Sequence, residues 1–553
     1  MQTAKQSARV RGQERRQKSM RMSSPPIFQP DGIVAPFRHI FFRRIWTASL
    51  LSNFGLLIQG VGAAWAMTVL TGRPNWVALV QSALTLPTML LSVAAGAVAD
   101  MYDRRLIGLA ALSLSFTAAA GLSALAFAGK LDPYGILIFC LLIGSGMAIF
   151  GPSWQASVAE QVPTHILPAA VALNSISYNV ARSFGPAIGG LIVAAAGVAA
   201  AFATNALLYL PLLAALFFWR RKRGLSRLPP EKIGRAMVSG VRYIVNSPPI
   251  RAVLCRTFLV GFAGSSVSAL MPFIARTLIG GGARIYGIML GAFGIGAVLG
   301  ALQVAELRRR MTPETIARAS ACVMGAALIA VALSHSVIAT GAALIVAGIA
   351  WMTGLTSFNI TIQFAAAHWV AGRSLAIYQA AISGGVAIGS YAWGNVADAF
   401  GTSAAMLASG TMMTAFVCLG RWLHMPNSGP SDNETREILA APDVALSLTG
   451  RSGPIVIEIE YRIDPTTAQG FYDAMLALQL ARQRNGAYGW TLSRDIADPE
   501  IWMERYHCPT WHDYLRQRER LTATERLVER TATDFHFGGK PFRVRRFMER
   551  PFG

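Results

Sequence analysis

The chain has 553 residues, 53% of them hydrophobic and 14% charged, with a mean hydropathy of +0.43. A soluble domain has no use for that much apolar surface, so composition excludes an ordinary soluble enzyme and indicates a polytopic membrane protein. The net charge of +22 would suit nucleic acid, anionic lipid or membrane loops, but the arginines cluster between apolar runs, which selects the lipid bilayer and excludes a nucleic-acid partner.

Residues 1–40 are polar and basic (KQSARVRGQERRQKSMRMSSPP), and the apolar run after them is longer than a signal-peptide core and lacks a cleavage site. They read as a disordered basic arm beside anionic headgroups. Twelve stretches then satisfy the requirement of about 20 apolar residues per crossing. They run approximately over 45–70, 76–100, 106–128, 134–153, 168–196, 199–219, 252–275, 285–306, 316–334, 338–360, 374–397 and 403–423. The fifth is long enough to predict tilt or a break around Gly185 and Pro186.

Arginine asymmetry orients the spans. One set of loops carries Arg43, Arg44, Arg104, Arg105, the run RRKRG at 220–224 and Arg308 to Arg310, whereas the other carries only Arg73, Lys130, Arg276 and Arg284. Both termini are therefore expected in the cytoplasm, with the chain multi-pass in the inner (plasma) membrane. A repeat at an offset of 204 residues maps Gly96 on Gly300, Arg104 and Arg105 on Arg308 and Arg309, Gly144 on Gly348, Gly185 on Gly389, Gly190 on Gly394 and Gly197 on Gly401. Duplicated halves of this kind enclose a substrate site in transporters. The halves are 41–220 and 251–425, joined by a basic linker at 221–250.

After a second linker (426–452), residues 453–553 are polar and long enough to fold alone. IVIEIEYRI alternates as a strand, PTTAQGFYDAMLALQLARQRN reads as a helix, GAYGWTLSRD and IWMERYHCP as strands, TWHDYLRQRERLTATERLVERTATDF as one helix, and PFRVRRFME as a last strand. The order βαββαβ is that of a small cytoplasmic α+β, ferredoxin-like domain. The fold class is thus an all-α membrane protein of twelve helices in two six-helix halves, plus that domain.

Several motifs carry chemistry. In GAVADMYDRR (96–105) the arginines serve as topology anchors, but Asp100 and Asp103 cost free energy at a membrane edge and call for partners. Gly96, Asp100, Asp103, Arg104 and Arg105 form a candidate conformational switch in which Asp100 exchanges partners between two states. In RSFGPAIGG (182–190), Gly185, Pro186, Gly189 and Gly190 permit close helix approach and a bend, a candidate packing and gating segment. Arg182 costs about 3 kcal/mol at mid-span and must face a cavity or a partner. With Asn174, Tyr178 and Asn179 nearby, and with Asn53, Gln59, Gln81, Asn359 and Gln363, it makes up the candidate substrate cavity. Amides within spans pack helices together at least as often as they bind ligands.

The five cysteines have no paired spacing, so no disulfide framework, metal site or cofactor is expected. No GK[ST] occurs, which excludes a phosphate-binding loop of the Walker type. GAFGIGAVLG (291–300) lies within an apolar span and reads as helix packing.

The pattern G-x-x-x-D-x-x-D-R-R resembles the signature loop of the major facilitator superfamily, roughly G-x-x-x-D-R-x-G-R-R. It departs by Met101 where Arg is usual and Asp103 where Gly is usual. Those departures, and a segment ending G-P-x-x-G-G, resemble the branch of bacterial enterobactin exporters and transmembrane secretion effectors. The resemblance implies a secondary transporter that exports a small molecule, a siderophore-like metabolite or a drug, by alternating access coupled to protons. In SNFGLLIQ, Leu56 stands where many relatives carry an acid, which puts coupling through that position in question. An importer or facilitator on the same fold is the alternative. The tail is similar to dimeric α/β-barrel monooxygenase-like modules, which implies dimerisation through it. An enzymatic reading, with Trp490, Tyr506, His507 or His512, ranks below a regulatory or dimerising one.

Overall fold

The computed structural model describes residues 34–158, 160–163, 166–219, 233–426, 444–537 and 542–549. The basic arm up to residue 33 and most of the second linker lie outside them. The membrane part consists of α1 (Ile40–Thr71), α2 (Pro74–Met101), α3 (Arg104–Phe127), α4 (Pro133–Val158) and α5 (Leu167–Phe217), then α6 (Ile233–Val245), α7 (Pro248–Phe273), α8 (Ala283–Arg310), α9 (Pro313–Leu333), α10 (Val337–Ala365), α11 (Ala371–Phe400) and α12 (Thr402–Ala415). Helices are forced here because hydrocarbon offers the backbone no other hydrogen-bond partner. Among the described residues, eleven of these segments are long and apolar enough to cross a membrane.

The sequence predicts tilt or a break around Gly185 and Pro186, and in the structure the break lies elsewhere. Helix α5 runs through both residues and departs from helical geometry at Gly197 instead, with φ 80° and ψ 176°. Unbroken, its 51 residues would extend about 75 Å, more than twice the hydrocarbon thickness. Proline removes only one intrahelical hydrogen bond, which packed neighbours tolerate, whereas the backbone at Gly197 lies in a region essentially reserved for glycine. Its repeat partner Gly401, between α11 and α12, has nearly the same conformation, φ 88° and ψ 159°. The repeat thus extends from sequence to backbone angles.

A second departure is α6, a helix within what the sequence suggests is a plain linker. Ile233, Met237, Val241 and Ile244 recur at helical spacing, and α6 packs against α2, α7 and α11.

The tail comprises β1 (Ile455–Arg462), α13 (Ala468–Arg484), β2 (Tyr488–Arg494), β3 (Ile501–Cys508), α14 (Trp511–Glu519), α15 (Ala523–Thr533) and β4 (Arg543–Met548). Its strands form one antiparallel sheet in the order β2-β3-β1-β4. Alternate residues of β1, Ile455, Ile457, Ile459 and Tyr461, face Phe471, Met475 and Leu478 on one stripe of α13 to make the core. The single long helix expected over 510–535 is two. Thr522 caps α15, accepting from Glu525 N at 3.2 Å while Glu525 Oε2 accepts from Thr522 N at 3.1 Å.

Gly197→Ala and Gly401→Ala are each expected to destabilise the protein by about 1–3 kcal/mol, the cost of forcing a side chain into that backbone region. The measurement is the thermal midpoint in detergent, and an unchanged midpoint would show that the turn relaxes freely.

Candidate functional site

The two halves meet along two helix pairs, α2 with α11 and α5 with α8. Both are small-residue seams. A Cβ added at Gly190 would lie 2.6 Å from Gly287 Cα, and one at Gly294 would lie 2.6 Å from Ser183 Cα. Ser183 Oγ donates to Gly294 O at 3.0 Å across this seam. In the other seam, Gly394 abuts Asn75 and Ala78, while Ser82 Oγ donates to Ala387 O at 2.6 Å. Gly190 and Gly394 are repeat partners, and each lies against the opposite half. Gly185 and Gly189 face Leu57 and Ile58 of α1, so the RSFGPAIGG segment packs on its own half through one side and on α8 through another.

The end of the bundle that carries Gly72, Gly197 and Gly401, called here the far end, is bridged between halves. Arg73 Nη2 lies 2.9 Å from Asp398 Oδ2, and Arg276 Nη1 donates to Thr68 O at 3.0 Å. Trp65 stacks on Tyr286 with centroids 6.1 Å apart, and Val61, Met67 and Val77 share an apolar cluster with Val267 and Phe273. The sequence reading missed this closure, since nothing local links positions 73 and 398.

At the opposite end, Asp103 caps α3, its Oδ1 accepting from Arg105 N at 3.0 Å. Arg104 donates to Ala99 O at 3.2 Å and pairs with Glu160 at 2.9 Å. Arg105 Nε donates to Leu216 O at 2.9 Å, and its Nη2 donates to Phe217 O, so a cation neutralises the carbonyl end of α5. These contacts tie the loop to the first half, while Gly96 faces the other half, toward Ala376. The side chain of Asp100 lies outside the described residues. In the repeat, Arg308 bonds Ser357 and Thr361 of α10 and stacks over Phe364, which occupies the position equivalent to Glu160. An ion pair in one half is a cation–π contact in the other.

The cavity candidates divide into three sets. Gln59 is fully buried and accepts from Asn205 Nδ2 at 3.3 Å, inside the first half. Asn53 reaches Ser177 Oγ at 3.5 Å, while Asn359 accepts from Gln363 Nε2 at 2.6 Å. Asn174, Asn179 and Gln81 are half-buried and Tyr178 is exposed. Arg182 is half-buried at mid-length in the first arm of α5, and its charge acts on Tyr378 of α11, in the other half. It has no hydrogen-bond or ion-pair partner among the described residues.

In the tail, Trp490 Nε1 and Arg482 Nε donate to Glu504 Oε1 at 3.0 and 3.2 Å, and Tyr461 donates to Oε2 at 3.0 Å. Tyr506 stacks on Arg482, and burial pushes its phenol well above the usual range. His507 points to the opposite face of the sheet, where it lies 3.6 Å from Glu549, and His512 sits against Gly450. The four enzymatic candidates thus do not converge. The Glu504 network was missed, although a Glu in phase with Trp502, Tyr506 and Cys508 on the inward face of a strand was a visible signal.

Two pseudo-symmetric helical halves meeting at small-residue seams, with one end bridged, define a polytopic membrane transporter of the major facilitator type. The sequence pattern of one such family, described as transmembrane secretion effector, matches residues 31–552, tail included, and the chain belongs to that family. It is 26% identical over 296 residues to a staphyloferrin A transporter of Staphylococcus aureus, covering 53% of this chain and 74% of that one. Over 392 residues it is 24% identical to the multidrug efflux pump Tap of Mycobacterium tuberculosis, covering 68% and 90%. An enterobactin exporter, EntS of Salmonella typhi, is 26% identical over 50% of this chain and 66% of its own. Among solved structures, a bacterial homologue of the lysosomal transporter Spinster superposes with a TM-score of 0.58 at 13% identity, over 71% of this chain and 99% of its own. That likeness shows the fold.

Asp398→Asn and Arg73→Gln are each expected to speed labelling of a buried far-end reporter, Val77→Cys, by an impermeant maleimide about two- to fivefold. The double variant should add nothing further. Unchanged labelling in both single variants would mean that the pair does not hold the far end.

Proposed function

We propose that the chain exports a small anionic metabolite by alternating access. It crosses the plasma membrane twelve times as two six-helix halves, with both termini and a ferredoxin-like tail in the cytoplasm. The length of α5 with its turn at Gly197 supports the count of twelve, and the arginine asymmetry supports the orientation. The sheet order β2-β3-β1-β4 with its helices supports the ferredoxin-like assignment of the tail. The functions of the relatives, a staphyloferrin A transporter, an enterobactin exporter and a multidrug efflux pump, support small-molecule efflux.

One observation carries the substrate class: Arg182, a half-buried guanidinium at mid-span with no hydrogen-bond or ion-pair partner among the described residues. A cation at that depth is held only if something anionic or strongly dipolar visits it. Amides on α1, α5 and α10 add neutral donors and acceptors suited to an oxygen-rich ligand. Arg73 with Asp398 and Arg276 with Thr68 join the halves at the far end, which supports loading from the tail end, as export from the cytoplasm requires. Proton antiport is the coupling that the family resemblance implies. The carboxylates within the spans (Asp100, Glu306, Glu314 and Asp398) all lie near span ends, so no mid-span acid carries it.

Comparison of metabolites in medium and cells, with and without the protein, identifies the cargo, and uptake of that cargo into inverted vesicles tests direction and coupling. Accumulation abolished by a protonophore is expected, and accumulation only in right-side-out vesicles would establish an importer. Arg182→Gln is expected to slow export on the order of tenfold or more at unchanged membrane yield, with Arg182→Lys intermediate, since a hydrogen bond to a charged group is worth about 1.5–3 kcal/mol. Export at the native rate in Arg182→Gln would remove the anion reading.

A further inference from the structure

We propose that the C-terminal domain is an intramolecular clamp on the tail-end gate, acting through Trp369 in the turn between α10 and α11. The inference rests on the alternating-access reading above. Its basis is a junction where the two halves, the linker helix and the tail all meet.

Helix α6 packs against α2 of the first half, α11 of the second and α13 of the tail. Arg373, in the first turn of α11, donates to Ser239 Oγ at 3.0 Å, and its stem runs over Gly240, where a Cβ would lie 3.0 Å from Arg373 Cδ. One turn further along α6, Tyr243 accepts from Ala367 N at 3.2 Å. The same ring meets Trp369 edge-on, with centroids 5.5 Å apart at 82°. On the tail side, the guanidinium of Arg520 sits 3.9 Å from the centroid of the Trp369 ring. Trp369 is thereby gripped between the linker helix and the tail, and its Nε1 is buried without a hydrogen-bond partner among the described residues, so ring contacts set its position.

A further contact ties the tail to α6. Arg242 reaches Gly486, just beyond the end of α13, where a Cβ would lie 3.1 Å from Nη2. Burial, and beyond it the charge of Glu525, push Tyr243 up to about 12, so its hydroxyl stays neutral at cellular pH. Gly486, Arg520 and Glu525 all lie at or near helix ends along one edge of the tail.

Closing the tail end requires the α10–α11 turn to move relative to α2, and this junction spans both. The docked tail therefore favours the state in which the far end is closed, and its release lets the tail end close more often.

The test uses the full chain in lipid nanodiscs, with spin labels at Gln155→Cys on α4 and Gly372→Cys on α11, both exposed, and with Cys255, Cys322 and Cys418 replaced by Ser. Arg520→Ala and Trp369→Ala are each expected to raise the population with the shorter label distance about threefold. Arg520→Lys should keep most of the native distribution, and the double alanine variant should match Trp369→Ala, because loss of the ring already removes the Arg520 contact. A distribution that responds to Asp398→Asn but not to Arg520→Ala or Trp369→Ala overturns the clamp and leaves the transport reading standing. Additive effects of the two alanines would also overturn it. One fixed distance in every variant, Asp398→Asn included, overturns the alternating-access reading itself.

Discussion

Two halves that must move against each other within lipid cannot be held by interlocking side chains, and everything else in this structure follows from how their seams are built. Lipid tails are as apolar as leucine, so helices associate there by close packing and hydrogen bonds and not by expulsion of water. Along α5 and α8, and again along α2 and α11, glycine, alanine and serine bring backbones together with little to interdigitate. Such a surface attracts at short range and offers little resistance to rocking. The large side chains at the far end, Trp65, Tyr286 and Phe273, pack across the halves beyond these seams.

Charges then bias the two ends differently. At the far end, Arg73 and Asp398 join opposite halves, so their attraction is lost when that end opens. At the other end, the arginines of the signature loop spend their hydrogen bonds within the first half, on Glu160 and on the carbonyl end of α5. Those contacts brace the half internally. The second half meets the same need with Ser357, Thr361 and the ring of Phe364. The pseudo-symmetry is therefore one of position and load, and not of residue type.

How far the sequence was legible depended on whether the cause of a feature was local. Span positions follow from hydropathy, and every apolar run read as a span is helical in the structure. The repeat was readable because Gly197 and Gly401 must be glycines for a local reason, their backbone angles. Pro186 drew the expected break or tilt toward itself because proline is the more familiar helix breaker, although the internal repeat already points to Gly197. Helix α6 was hidden by the basic composition around it. Asp398, Glu160 and Leu216, which Arg73, Arg104 and Arg105 reach, lie between 56 and 325 positions away, and no spacing rule reaches them. For Asp103 a local cause was legible as well: an Asp two residues before a helical amide is placed to cap the helix.

The tail shows why a small domain can act on a gate at all. Glu504 is completely buried, and a buried carboxylate is stabilising only when its partners are complete. Here its donors come from α13, β1 and β2, while Arg482 also reaches Glu529 of α15 at 2.8 Å. One ion thus fixes the two longer helices of the tail on its sheet. Because removing any donor would leave a charge uncompensated, the helices cannot shift separately without a large penalty. The edge that carries Gly486 and Glu525 therefore moves with the sheet as one body. A displacement of α6 or of Trp369 is met by the whole domain, where a flexible tail would absorb it.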